Sequence, residues 1–452
     1  MKIANYLSLA ALAFMTAACS SDDNGLDQQP VDVNGEITIT ATLEAADGAK
    51  TRALSDPDGE NKIQSTWAAT DQFAILYNNG TEDTKSIATV KSINASTVTI
   101  TFTIPATLAD NTACKIVYPA SAANAANTDA DVATALATQD GNIENCPEVR
   151  VGTATIDKDN HSLTSVTKLA AQNAVFKFTL EGPSIDATHP LVIKDNASNT
   201  TITTVTPAST ATSVFVAMPE AASKAYNFVV TTADNKYIKS GTAAIAAGKY
   251  YQTTLTMEPR YPLALSSATA KDDLGAVVCS DGTLSVEKAA APSGKTAVGI
   301  LGMVTETGHG LILALKDATS QNWNTINGWT SVTTYASTTL KVLPDDAARG
   351  ANLTSYTTLG ATAVSNWAVA QKSDYEAIFT NLGSTTGNEN GKTYDGNVNA
   401  YITTGVGGTA LSGLYWSATE SSSADGARSF ASDYWCVLIK SGGVSVRPVL
   451  GF

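Results

Sequence analysis

Apolar and polar residues alternate along most of the first 258 residues. In residues 37–43, 98–104 and 174–180 every second side chain is apolar, and threonine fills most of the positions between them. A period of two predicts half-buried β-strands with threonine on the face toward water. No amphipathic helical pattern precedes residue 260, so parallel βαβ units are not expected. This region is therefore predicted to be mainly β, with antiparallel sandwich domains.

Breaks in this pattern divide the chain. We expect β domains at 36–150 and 151–258, with the Ala-, Asn- and Asp-rich segment 120–140 as a long loop or short helix. Two prolines in residues 258–262 indicate a linker, because proline stops a continuing strand. Residues 259–452 are predicted to form an α+β domain that holds five of the six tryptophans, namely Trp323, Trp329, Trp367, Trp416 and Trp435.

One helix of this third domain is predicted in detail. Ser373–Glu376 has the spacing of a capping box, and Gly383 is placed as a C-cap. The predicted apolar face consists of Tyr375, Ile378, Phe379 and Leu382.

The first residues indicate export. Lys2 is followed by an uncharged, mostly apolar run up to Ala18, which is too short to cross a bilayer and is typical of a signal peptide at 1–18. Small residues directly before Cys19 favour a lipoprotein signal, cleaved between Ala18 and Cys19, with lipid on the cysteine. The alternative is an ordinary secretory signal. Residues 19–35 are polar and are predicted to be a tether, which the lipid would hold at a membrane.

Charge and motifs narrow the function. Only 15% of residues are charged and the net charge is −14, which argues against a nucleic-acid partner, since such partners require lysine and arginine contacts to phosphate. No nucleophile, zinc-protease or phosphate-loop motif occurs. We therefore expect no enzyme activity, no cofactor and no metal.

Four cysteines remain besides Cys19. Cys114 could pair with Cys146, and Cys279 with Cys436, each pair within one predicted domain. Four buried free thiols are an equal alternative, because sequence does not show proximity.

Three motifs resemble the fimbrillin-like pilins of type V pili. The signal is followed by an alternating strand and then Lys50-Thr51-Arg52-Ala53; Thr66-Trp67 precedes Asp71 and Phe73–Leu76; and Gly248–Tyr251 opens a closing strand. The resemblance covers residues 1–258 and implies two transthyretin-like β-sandwich pilin domains. It also implies cleavage between Arg52 and Ala53 by an extracellular arginine-specific protease. The first strand, Glu36 to Glu44, would leave, and another pilin subunit would donate a strand to the vacated groove.

The end of the chain resembles a C-type-lectin-like module. Tyr415–Glu420, Arg428–Phe430 and Val446–Val449 carry this resemblance. The calcium-binding motifs of true C-type lectins are absent, so calcium-dependent sugar binding is not implied. Trp323 and Trp329 are the candidates for a surface that stacks on glycan or protein, whereas Trp67, Trp416 and Trp435 are expected in the core. Arg447 is expected to make a buried bond.

Together these features favour a pilus subunit, specifically a tip subunit that accepts a donor strand but gives none. The precursor would be a lipoprotein of the outer membrane, and residues 19–52 would leave with the lipid on cleavage. The alternative is a surface lipoprotein that binds glycan or protein and never polymerises.

Overall fold

The structure is a computed structural model that describes residues 35–45, 67–323 and 369–452, apart from short gaps at 95–96, 125, 127–128, 307–308, 390 and 423–424. It is mainly β, as predicted, and most strand pairs are antiparallel. The sheets form three units along the chain, here called the first, second and third unit.

The first unit is built on one eight-stranded sheet with the order β1-β4-β3-β2-β5-β9-β10, and β11 also pairs with β9. Its buried face carries the alternating apolar residues of β1 and β4, which pack with those of β2 and β5. The described strands of this region and its short α-helix are β1 Glu36–Glu44, β2 Gln72–Asn78, β3 Asp83–Asn94, β4 Thr97–Pro105, β5 Thr112–Tyr118, β6 Ala123–Asn124, β7 Asp129–Ala130, α1 Val132–Leu136, β8 Thr138–Gln139, β9 Arg150–Asp157, β10 Ser162–Thr164 and β11 Ala170–Ala171.

The second unit packs a three-stranded sheet, β15-β12-β18, against a six-stranded sheet, β19-β17-β16-β13-β14-β8. Apolar side chains from both sheets fill the space between them, as in a sandwich. Its strands are β12 Asn173–Glu181, β13 Leu191–Asp195, β14 Thr201–Val205, β15 Ser213–Pro219, β16 Ala221–Thr231, β17 Lys236–Ile245, β18 Tyr250–Thr256 and β19 Glu258–Pro259.

The third unit combines a six-stranded sheet, β20-β22-β21-β23-β24-β32, with a five-stranded sheet, β25-β31-β28-β29-β30, and with two α-helices among its described residues. All three parts share one apolar core. The elements are β20 Leu263–Ala264, β21 Val277–Cys279, β22 Thr283–Ser285, β23 Ala297–Glu306, β24 His309–Ala314, β25 Ala318–Gln321, α2 Lys372–Asn381, β26 Gly387–Asn388, β27 Gly391–Lys392, α3 Gly396–Thr403, β28 Tyr415–Glu420, β29 Gly426–Phe430, β30 Trp435–Ile439, β31 Val444–Val446 and β32 Val449–Gly451.

The sheets correct two sequence-based boundaries. Residue 150 begins β9, which pairs with β5 over seven residues, so the first sheet continues to Ala171 instead of ending at 150. The expected linker at 258–262 begins as β19, an edge strand paired with Tyr237 and Ile238. Proline is tolerated there because an edge strand need not donate every backbone N–H to a neighbour.

The predicted helix of the third unit is present, with a different start. It begins at Lys372, and the backbone N–H of Gln371 donates to Asp374 Oδ2 at 3.1 Å. The capping residue is therefore Gln371 and not Ser373. The predicted apolar face is buried, and Gly383 follows with a φ of +79°, a left-handed conformation that glycine adopts without steric cost.

Candidate functional site

The candidate site is the slot in the first unit that holds β1. This strand lies at one end of the sheet order and pairs antiparallel with β4 along its whole length, from Glu36 opposite Pro105 to Glu44 opposite Thr97. In the chain it precedes residues 46–66, which include Arg52. It is thus the described strand that a cut at Arg52 would separate from the rest of the sheet.

The far edge of β1 is also bonded, which turns a sheet edge into a slot. The backbone N–H of Thr40 donates to the carbonyl of His161 at 3.1 Å, and the N–H of Leu169 donates to the carbonyl of Glu44 at 2.7 Å. Lys168 Nζ reaches Glu44 Oε1 at 2.8 Å. Residues 161–169, which include the short strand β10, therefore form the second wall of the slot, opposite β4.

The side chains of β1 alternate in size as well as in polarity. Ile39 and Leu43 are 0% exposed, Ala41 is 7% exposed and Ala45 is 1% exposed. Thr38 and Thr42, on the opposite face of the strand, are exposed. The occupant of the slot therefore presents a large, small, large, small series of apolar side chains to the core.

Trp67 and Asp71 belong to the second of the three motifs that resemble fimbrillin-like pilins. Both residues lie below the slot, in the core of the first unit. Trp67 is buried, as expected, and its ring meets Tyr118 edge to face at 5.1 Å between centroids. Asp71 is also buried, and it accepts hydrogen bonds from the backbone N–H of Ala68 at 2.8 Å and from the Tyr118 hydroxyl at 3.2 Å. The Trp–Asp spacing thus places an aromatic ring and a turn-closing carboxylate at the entry to β2.

Several predicted site residues lie outside the described residues. These are the lipidation site Cys19 with Ala18, the processing site Arg52 with Ala53, and Trp329. Their assigned roles remain predictions.

Trp323 does not form a stacking surface, so that prediction is wrong. Its side chain is 0% exposed, its Nε1 donates to the carbonyl of Ser417 at 2.8 Å, and Lys440 Nζ lies 4.8 Å from the ring centroid. The ring is buried because it closes the core of the third unit between β28 and the residue that follows β30.

Trp416 and Trp435 lie in the core, as predicted, and Arg447 is also fully buried. Arg447 Nη1 donates to the carbonyl of Ala314 at 3.1 Å, Nη2 donates to the carbonyl of Thr409 at 2.7 Å, and Nε lies 2.8 Å from Asp317 Oδ1. One guanidinium group thereby ties three segments of the third unit together, which is a structural role.

The four cysteines outside the signal region are free thiols. Cys114 belongs to the core of the first unit, whereas Cys146 lies in a separate cluster on the opposite face of the first sheet. The pairing considered from the sequence is therefore not formed. Burial raises the pKa of the Cys114 thiol to about 12, so this group is a neutral core side chain at physiological pH.

The sequence did not reveal the second wall of the slot. β10 has three residues and β11 has two, which is too short for an alternating pattern to be recognised. The available signal was the apolar run Leu169-Ala170-Ala171, which is too short to show a periodicity.

Within the described ranges, no helix is long and apolar enough to span a membrane. No protein-family profile and no curated protein match the chain.

Solved structures that align with the chain include a fimbrial protein from Bacteroides ovatus, at 13% identity and a TM-score of 0.24, covering 93% of this chain and 100% of the other. A fimbrial assembly protein from Parabacteroides distasonis aligns at 11% identity and a TM-score of 0.25, covering 48% of this chain and 90% of the other. At these TM-scores the alignments do not establish a family or a role for this chain.

Proposed function

We propose that the chain is a structural and adhesive subunit of a cell-surface pilus, assembled by donor-strand exchange after proteolysis. The observation that carries the proposal is the geometry of β1. A strand that precedes Arg52 fills a slot with hydrogen-bonding walls on both sides and an apolar floor. Such a slot can accept a strand from another chain, because its backbone bonds are independent of sequence.

Cleavage after Arg52 would remove the covalent tie and leave the rest of the strand's interactions in place. β1 would then be held by its ladder with β4, by the bonds to His161 and Leu169, and by its buried side chains. A donor strand with the same alternation could replace these contacts one by one. An empty slot, in contrast, would expose the apolar floor and an unpaired edge of β4, which is unfavourable in water.

The proposed precursor is an outer-membrane lipoprotein, with lipid on Cys19. Because residues 19–52 contain both the lipidated cysteine and β1, one cut would release the subunit from the membrane and open its slot. The lipid would thus hold the precursor at the surface until a protease activates it. The activated subunit would then occupy the pilus.

The third unit supports a position at the pilus tip. Its strand β32 pairs with β24 inside its own sheet, and Val449 and Leu450 are buried there. This strand contributes to its own core and is unsuited to donation. A lectin-like adhesive role for this unit, toward glycan or protein, is part of the proposal, and Trp329 is the remaining candidate contact. No catalytic role is proposed.

The experiment treats purified precursor with an arginine-specific protease and follows two readouts. N-terminal sequencing should give a product that starts at Ala53, and an Arg52→Lys variant should resist the cut. A labelled peptide with the sequence of Glu36–Glu44 should then enter the cut protein but not the uncut one. A matched peptide with Ala at the Ile39 and Leu43 positions should enter far more weakly, because it lacks the two large buried side chains.

The rival function is a surface lipoprotein that binds glycan or protein without polymerising. Burial of Trp323 removes one of the two residues that favoured it. The same experiment separates the two functions. A cut protein that takes up neither peptide, combined with glycan binding by the intact precursor, would favour the rival.

A further inference from the structure

The joint between the second and third units consists of polar bonds where the sequence indicated a linker. Asn235, in the turn between β16 and β17 of the second unit, forms two hydrogen bonds with the backbone of Tyr261. Its Nδ2 donates to the carbonyl of Tyr261 at 2.6 Å, and the N–H of Tyr261 donates to its Oδ1 at 2.9 Å. Tyr261 itself is buried in the core of the third unit. One amide of the second unit is thereby fixed to a core residue of the third.

Lys236, the next residue, adds a second connection. Its Nζ donates to the carbonyl of Asp272 at 2.5 Å and lies 3.7 Å from Glu287 Oε2. Its backbone carbonyl accepts from the N–H of Arg260 at 2.7 Å. The β16–β17 turn therefore contacts the third unit at three places that are well separated in sequence.

Arg260 anchors the segment that crosses the joint. Its Nε and Nη2 donate to the two oxygens of Asp273 at 2.9 and 2.6 Å, and Asp273 is fully buried. Hydrogen bonding to Asp273 raises the pKa of Arg260, so the guanidinium group keeps its charge. A bidentate pair of this kind fixes direction as well as distance.

A further contact lies beside the turn. Asn199 Nδ2 donates to the carbonyl of Lys271 at 3.2 Å, and Lys271 Nζ donates to the side chain of Asn196. The loop after β13 and the loop before β21 are thus joined as well. Two points of attachment on different loops restrict rotation about the crossing segment, which a single attachment would allow.

We propose that this set of bonds is a lock that holds the second and third units in one fixed orientation. Without it, residues 260–262 after β19 would behave as a short flexible connection and the third unit would sample many directions. The lock involves neither strand exchange nor a ligand. A test of the lock is therefore independent of the proposed pilus function.

The test measures the distance between the two units in the full chain by pulsed electron resonance. Spin labels are attached at Lys239→Cys in β17 and at Thr380→Cys in α2, both exposed positions, in a background with Cys436→Ser. The buried cysteines are expected not to label. The lock predicts one narrow distance distribution. Asn235→Ala should broaden it, raising the population of other orientations about tenfold, because two hydrogen bonds are lost. Asp234→Ala, an exposed neighbour in the same turn, should leave the distribution narrow.

Two results would overturn the lock. One is a broad distribution in the parent chain, and the other is a distribution in Asn235→Ala that matches that of Asp234→Ala. Circular dichroism of each variant checks that the sheets remain folded. If Asn235→Ala does not fold, Lys236→Met tests the lock instead. This substitution keeps the aliphatic stem but removes the bonds to Asp272 and Glu287. It should broaden the distance distribution in the same way.

Discussion

Leu43→Ala tests whether β1 is held in its slot by its buried side chains. Leu43 is fully buried beneath the sheet and lies opposite Val98 of β4. Truncating a buried leucine to alanine costs about 2–5 kcal/mol, from lost transfer energy and the cavity that remains. The loss should fall on the contact between β1 and β4, because the strand is the part of the core that can leave.

The assay is amide hydrogen exchange in Thr97–Pro105, the partner strand, under conditions in which the opening equilibrium limits the rate. A cost of at least 2 kcal/mol corresponds to exchange about 30-fold faster or more. The matched control is Thr42→Ala, the adjacent exposed residue, for which a change of less than about 0.5 kcal/mol is expected. The reasoning is refuted if β4 amides exchange at the same rate in both variants, since the buried side chain would then contribute nothing to holding the strand.

Three further predictions concern single groups. Asp71→Ala leaves the Tyr118 hydroxyl and the Ala68 N–H without their carboxylate; it should lower the unfolding free energy by about 1–3 kcal/mol in urea titrations, and an unchanged midpoint would contradict this. Arg447→Lys cannot reproduce the contacts with Ala314, Asp317 and Thr409, so thermal unfolding should show a loss of about 3–5 kcal/mol. The control Arg428→Lys, at a half-buried position, should cost much less. Cys114 should resist thiol reagents at pH 8 until the protein is denatured. Since its pKa rises from 9.0 to about 12 on folding, its contribution to stability is complete below pH 9 and is lost as the pH rises toward 12; rapid labelling of the native thiol at pH 8 would count against this.

The two joints of the chain differ in chemistry. Ala74, Leu76 and Val117 on the outer face of the first sheet pack against Val175 and Ala217 of the second unit. That joint is apolar, whereas the joint to the third unit is built from amide, ammonium and guanidinium groups. Salt is therefore expected to affect the second joint more than the first, because screening acts on charges and not on apolar contacts.

The alternating residues of β1 and β4 were sufficient to predict two strands with the correct faces buried. Their period of two is a local property, and the core side of each strand follows from it directly. The same holds for the apolar face of α2, whose period is also local. The start of that helix was misplaced by two residues because Ser373 and Gln371 both lie near a suitable acidic residue, and the local sequence does not decide between them.

The burial of Trp323, in contrast, could not be predicted from its local sequence. Trp323 and Trp416 are equally apolar, and one was assigned to a surface because it lies in a polar stretch. Only the folded chain shows that Ser417 and Lys440, almost a hundred residues or more away, enclose Trp323.

The sequence by itself determined that this is a mainly β chain with an alternating first strand, and it predicted a processing site after that strand and an export signal before it. The tertiary structure decided that β1 occupies a slot with two walls, that the first sheet continues past residue 150, and that the connection at 258–262 is locked. The physical reason is the range of the interactions. Periodicity and turn chemistry act between neighbours along the chain, whereas strand partners, buried polar bonds and domain joints depend on residues brought together only by folding.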